Sequence, residues 1–128
     1  MPGVLVAIPV AYGLLFVPRV LVIVALKQQR KFDNHNPRDA LRALEGWGRR
    51  AQAAQENGYE AFPAFAAGVL ACALTGARPE LAIALCIIHL IARLAYVACY
   101  ALDWAPLRSL VWFVGTGCTA GLMLLPAI

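Results

Sequence analysis

This chain is short of charge. Asp, Glu, Lys and Arg make up only 14% of its 128 residues, against 62% hydrophobic, where a soluble domain is nearer a quarter charged. With a mean hydropathy of +0.70, that shortage excludes an ordinary soluble domain and predicts an all-α integral membrane protein, one domain over residues 1–128. Nucleic acid is excluded as a partner for so apolar a chain. Acidic residues are scarcest, seven in all, and none lies in Gly3–Leu26, Leu81–Leu102 or Pro106–Ile128. A proton-coupled four-span exporter needs a carboxylate inside the membrane, so that class is disfavoured. The four cysteines, Cys72, Cys86, Cys99 and Cys118, form no CxxC pair and all sit in apolar segments. They read as small buried hydrophobes, with no disulfide framework and no metal site. The N-terminus lacks a basic leader, and the apolar stretch after it is too long for a signal peptide, so it reads as a retained span. There is no internal repeat and no low-complexity segment.

What the chain does have is four long apolar runs. The predicted spans are about 3–26, 58–77, 80–102 and 106–127, with 27–57 as a loop and helix extension. The 24 residues of Gly3–Leu26 cover about 36 Å at 1.5 Å per residue, enough to cross with some tilt. Arg19 interrupts this run near its loop end, where its long stem reaches the interface by snorkelling. Pro79 and Pro106 open the third and fourth spans, as proline does in a first helical turn. Asn36 and Pro37 predict another helix start, with Asp39 in the first turn, where a carboxylate suits the helix dipole. Gly46 and Gly48 are candidate breaks or bends in the helix-friendly segment Asp39–Glu60 that follows. Gly117 and Gly121 form a small-xxx-small pair that lets helices approach closely. Seven of the 11 basic residues lie between Lys27 and Arg50. The positive-inside rule therefore places this loop in the cytoplasm and both termini on the far side.

The third span carries an unusual stripe. His89, Arg93, Tyr96 and Tyr100 fall at i, i+4, i+7 and i+11, one face of a helix. A central membrane arginine costs roughly 2.5–3.5 kcal/mol on insertion scales, so Arg93 is a functional-site candidate. His89 reads as a buried, hydrogen-bonded histidine. On the second span Arg50, Asn57 and Glu60 share a face by spacing, and Glu60 is the natural anion for Arg93. Arg108 and Ser109 open the fourth span, where a helix N-terminus and a guanidinium together favour an anion. Asp39, Arg42 and Glu45 read as a solvated face in the loop.

Four ordered motifs carry a resemblance. They are Asn36-Pro37-Arg38-Asp39-Ala40-Leu41-Arg42, then Asn57-x-x-Glu60 before an aromatic, proline-containing span, then Arg93-x-x-Tyr96-x-x-x-Tyr100, then Ala105-Pro106-Leu107-Arg108-Ser109. In this order the chain resembles the MAPEG family, the membrane-associated proteins in eicosanoid and glutathione metabolism, over about residues 18–125, and most closely its bacterial members. The resemblance implies a homotrimer of four-helix subunits in a bacterial inner membrane. Glutathione would bind between neighbouring subunits near the cytoplasmic face, and a lipophilic small molecule would arrive through membrane lipid. By position Arg50, Asn57, Glu60, Arg93, Tyr96 and Tyr100 would line the glutathione site, with Asp39 and Arg42 at its mouth. Arg108 would stabilise the thiolate, beside Ser109. The implied function is a glutathione-dependent transferase or peroxidase; the alternative is a non-catalytic scaffold of the same fold. Ala53 and Glu56 stand where eukaryotic members carry arginines, and Arg50 is a candidate replacement for the first. Tyr96 and Trp112 replace the histidine and tyrosine of some members.

Overall fold

The computed structural model describes residues 2–128; Met1, within the expected 1–128 domain, lies outside them. It has the expected all-helical architecture, with four helices long and apolar enough to cross a membrane. A short 3-10 turn leads into α1 (Ala7–Leu14) and α2 (Phe16–Gln28), which together make the first span, Gly3–Gln28. The step between them has a local cause. Pro18 has no N–H to give the Leu14 carbonyl, so the ladder is interrupted one turn earlier.

The loop then folds back on the bundle as α3 (Pro37–Arg42). Asp33 starts it: its Oδ1 accepts the backbone N–H of His35 at 2.9 Å and of Asn36 at 3.3 Å. Asn36 does hold the N-cap position, but its side chain makes no capping bond. The helix-rich stretch from Asn36 to Glu60 is broken near Gly46, one of the two glycines read as a candidate break or bend. The chain breaks after Arg42 and restarts at Gly46, whose φ of +56° is one that glycine tolerates. A reciprocal clamp holds the break. Gln29 Nε2 donates to the Glu45 carbonyl at 3.0 Å, and Glu45 N–H donates to Gln29 Oε1 at 3.1 Å. Leu44, fully buried, drops into a small core with Val22, Ala25, Ala40 and Ala51.

The second span belongs to α4 (Gly46–Thr75), 30 residues long. That is about 45 Å of helix against a hydrocarbon layer of roughly 30 Å, so α4 projects beyond the membrane at its loop end. Gly76, at φ +69°, ends it in a left-handed cap. The remaining helices are α5 (Pro79–Ala101) and α6 (Ala105–Leu124), each with proline in its first turn.

Small residues set the spacing. A Cβ on Gly48 would meet Ala25 Cβ at 2.7 Å, and one on Gly68 would meet Leu122 Cβ at 2.9 Å. Of the expected Gly117–Gly121 pair, only Gly121 lies against a neighbouring helix, at Leu85; nothing stands within 4 Å of Gly117. A second core, with Phe65, Val69, Cys72, Cys86 and Leu122, fills the far half of the bundle. All four cysteines are free and buried, as their apolar settings predict. Large side chains such as Val20, Ile91 and Phe113 point outward, about 60% exposed or more, the lipid-facing pattern of a membrane bundle.

Candidate functional site

The polar groups of α5 meet those of α4 and α6 at one level, near the loop end. Arg93 Nη1 donates to Asn57 Oδ1 at 2.8 Å. Its guanidinium carbon lies 4.6 Å from the Tyr96 ring centroid. Tyr96 in turn packs edge-on against Tyr100, centroids 5.4 Å apart. From α6, the Arg108 guanidinium carbon sits 4.3 Å from the Tyr100 centroid. Arg50 closes the group from α4: its Nε donates to the Tyr100 carbonyl at 3.1 Å. The i, i+4, i+7 spacing of α5 is what turns Arg93, Tyr96 and Tyr100 to one inward face. Pro106 starts α6 just before Arg108, so that guanidinium meets the end of α5 immediately after the turn.

The electrostatics of this group are one-sided. Two ion pairs occur among the described residues, Lys31–Glu45 and Arg42–Asp39, and neither involves Arg50, Arg93 or Arg108. Two of the three cations therefore lie over phenol rings and the third on the Tyr100 carbonyl, with no carboxylate among them. Cation–π contacts of about 0.5–2 kcal/mol hold the guanidinium planes in place. They do not satisfy all five N–H donors of each arginine.

Glu60 is the main correction. It is exposed and makes no bond to Arg93, whose partner is Asn57. The reason is angular: three residues along a helix advance about 300°, so Glu60 is turned some 60° from Asn57. That rotation is enough to carry it off the buried face. Asp39 and Arg42 pair with each other at 3.3 Å on exposed α3, away from the Arg93 group. Ser109 is exposed, and its hydroxyl is 3.4 Å from the Ala105 carbonyl of its own helix. Arg50, Asn57, Arg93, Tyr96, Tyr100 and Arg108 are thus brought together; Glu60, Ser109, Asp39 and Arg42 are not.

His89 lies deeper and is satisfied, as expected. Its Nδ1 donates to the Gly115 carbonyl at 3.0 Å and is 3.3 Å from Thr119 Oγ1. Its ring stacks on Phe65 at 4.0 Å. Sequence reasoning missed Gln55, which is 2% exposed and donates to Tyr59 Oη at 2.9 Å. The available signal was a polar stripe on α4, since Arg49, Gln52, Glu56 and Tyr59 recur at helical spacing.

Four apolar helices long enough to cross a membrane, with an arginine–tyrosine cluster between three of them, define a polytopic membrane protein. The sequence model of the MAPEG family matches residues 4–128, and the chain belongs to that family. No curated protein and no solved structure matches it at a significant level.

Proposed function

We propose that this protein is a membrane-embedded, glutathione-dependent transferase or peroxidase acting on lipophilic electrophiles or peroxides. The observation that carries the reading is the group Arg50, Arg93 and Arg108, three guanidiniums around Tyr96 and Tyr100 with no carboxylate partner. This donor set fits glutathione, which has two carboxylates and an ionisable thiol. Arg50 and Arg93 offer charged donors for the carboxylates, and Glu60, one turn along α4, remains for the ammonium. Membership of a family associated with glutathione supports the same reading.

Glutathione supplies the sulfur nucleophile when bound. A free thiol is only a few per cent thiolate near neutral pH. Arg108 and the free N–H groups at the start of α6 favour the thiolate over the thiol. Tyr100 holds the Arg108 guanidinium in position. In transfer, the thiolate sulfur bonds to the electrophilic carbon and the electron pair leaves with the displaced group. The apolar substrate reaches the sulfur from the lipid.

In the same proposal, residues 1–128 form one domain that assembles as a homotrimer, which would bring a neighbour's surface to Glu60. The protein sits in a bacterial inner membrane with the arginine cluster toward the cytoplasm and both termini on the far side. The basic loop supports this orientation. The test is thermal stabilisation in detergent with glutathione, cysteine and an S-alkyl glutathione, followed by conjugation of a generic electrophile. Glutathione and its S-alkyl derivative are expected to stabilise and cysteine not. Binding without turnover on electrophile or peroxide moves the assignment to the non-catalytic scaffold, and no stabilisation by either tripeptide contradicts the glutathione site.

A further inference from the structure

Two buried carbonyl oxygens on α4 have no partner among the described residues. Gln55 is 2% exposed. Its Nε2 donates to Tyr59 Oη at 2.9 Å, and its Oε1 meets no donor. One turn earlier, Gln52 Nε2 donates to a Glu56 carboxylate oxygen at 3.1 Å. That bond fixes which way the Gln52 amide points, because an ionised carboxylate only accepts. It leaves Gln52 Oε1 buried and unbonded as well. Buried polar atoms in folded proteins nearly always find a partner, in the protein, in water or in a ligand.

Gln52, Gln55 and Glu56 line one cleft of about 820 Å³ between α2, α3 and α4 at the loop end. Two free oxygens and a carboxylate make an acceptor set, which suits a group rich in N–H donors, above all an ammonium. Arg19, Arg38, Arg42 and Arg49 line the same cleft, so a bare cation would be repelled. Of these four, only Arg42 has a carboxylate partner among the described residues. An ammonium with a carboxylate on the same carbon meets both demands, and that is the head of an α-amino acid.

The cleft adjoins the arginine–tyrosine cluster round α4. Arg49 and Arg50 are consecutive, as are Glu56 and Asn57, and each step turns by about 100°. Ala53 and Glu60 occupy the helix edge between the two stripes. An extended chain covers about 3.3–3.6 Å per residue, so a tripeptide of roughly 10 Å reaches from one stripe to the other. Glutathione carries an α-amino-acid head at its γ-glutamyl end. We propose that Gln52, Gln55 and Glu56 bind the ammonium of that head, with Arg49 on its carboxylate. The proposal rests on the glutathione reading. It leaves Arg50 and Arg93 for the glycyl carboxylate, and it moves the ammonium from Glu60 to a set that contains two buried acceptors.

The test measures binding to purified full-length protein in a neutral detergent, with glutathione and N-acetylglutathione as probes. Acetylation removes the ammonium charge and leaves the thiol and both carboxylates. Wild type is expected to bind glutathione about tenfold or more tighter than N-acetylglutathione, the size of a lost hydrogen bond to a charged group. Glu56→Gln and Gln55→Leu should each shrink that ratio toward one by weakening glutathione alone. Glu60→Gln should leave the ratio as it is. Should Gln55→Leu fail to fold, Glu56→Gln carries the test, because Glu56 is exposed. A substitution that weakens both probes alike has only a structural effect and overturns the proposed contact. Equal binding of the two probes by wild type overturns the ammonium site while the glutathione reading stands. Loss of the ratio in Glu60→Gln, with Glu56→Gln unaffected, returns the ammonium to Glu60. Binding of neither probe removes the glutathione reading and this one with it.

Discussion

Arg93 shows how much a single residue decides. Spacing alone identifies it as costly and therefore purposeful, and it points to the right face of α5. Spacing does not identify its partner, because Asn57 and Glu60 both lie within reach of a long side chain and differ by only about 60° of rotation. The structure resolves the choice for Asn57. A double-mutant cycle between Arg93→Ala and Asn57→Ala should give a coupling energy of about 0.5–3 kcal/mol, whereas Arg93→Ala with Glu60→Gln should be additive within about 0.5 kcal/mol. Unfolding in mixed micelles measures both, and coupling confined to the Glu60 pair would show that Asn57 is not the working partner. Asp33 is a residue the sequence left silent. Its carboxyl is held below the usual 3.8 by the His35 backbone N–H first and the Asn36 side chain second. Because the folded value is depressed, its contribution is complete above the unfolded value and disappears as pH falls through the folded one. Pepsin cleavage in the loop, as a ratio to Asp33→Ala, should therefore start low near pH 4.5 and approach one by about pH 2. A ratio that stays constant with pH would mean that the carboxylate does not order the loop.

At the scale of elements, the apolar runs made the four spans legible, since no alternative buries stretches of that length. The break near Gly46 was legible from the glycine itself; the tertiary clamp that holds it, Gln29 on Glu45, was not. Gly48 was read as a bend, but it sits inside α4 and its role is contact with Ala25. Gly48→Ala should cost about 1–3 kcal/mol by overpacking, while Gly117→Ala, with open space around it, should cost nothing measurable within the subunit. Equal effects in an unfolding titration would mean that close approach of α2 and α4 is not what fixes Gly48.

For the whole molecule, the family, the helical class and the membrane setting follow from composition and ordered motifs together; the family match bears out the first, and the all-helical bundle with four apolar helices bears out the others. Half of the candidate site was legible as well: the residues on α5 and at the start of α6 converge because their own helices aim them. The rest depends on neighbours across the bundle, as for Asn57 and Arg93. The orientation proposal is testable by cysteine labelling at position 34 in a cysteine-free background, with protection from periplasmic reagents as the expected result; labelling from outside would reverse the topology and move the arginine cluster with it. The central claim is that Arg108 activates a bound thiol, and it is tested most directly by the ultraviolet thiolate absorbance of glutathione bound to wild type and to Arg108→Lys. Lysine keeps the charge but loses the planar fork of donors. The expected result is a thiolate band in wild type, with band and turnover both reduced about tenfold or more in Arg108→Lys and assembly unchanged. An unchanged band and unchanged turnover in Arg108→Lys would contradict the account.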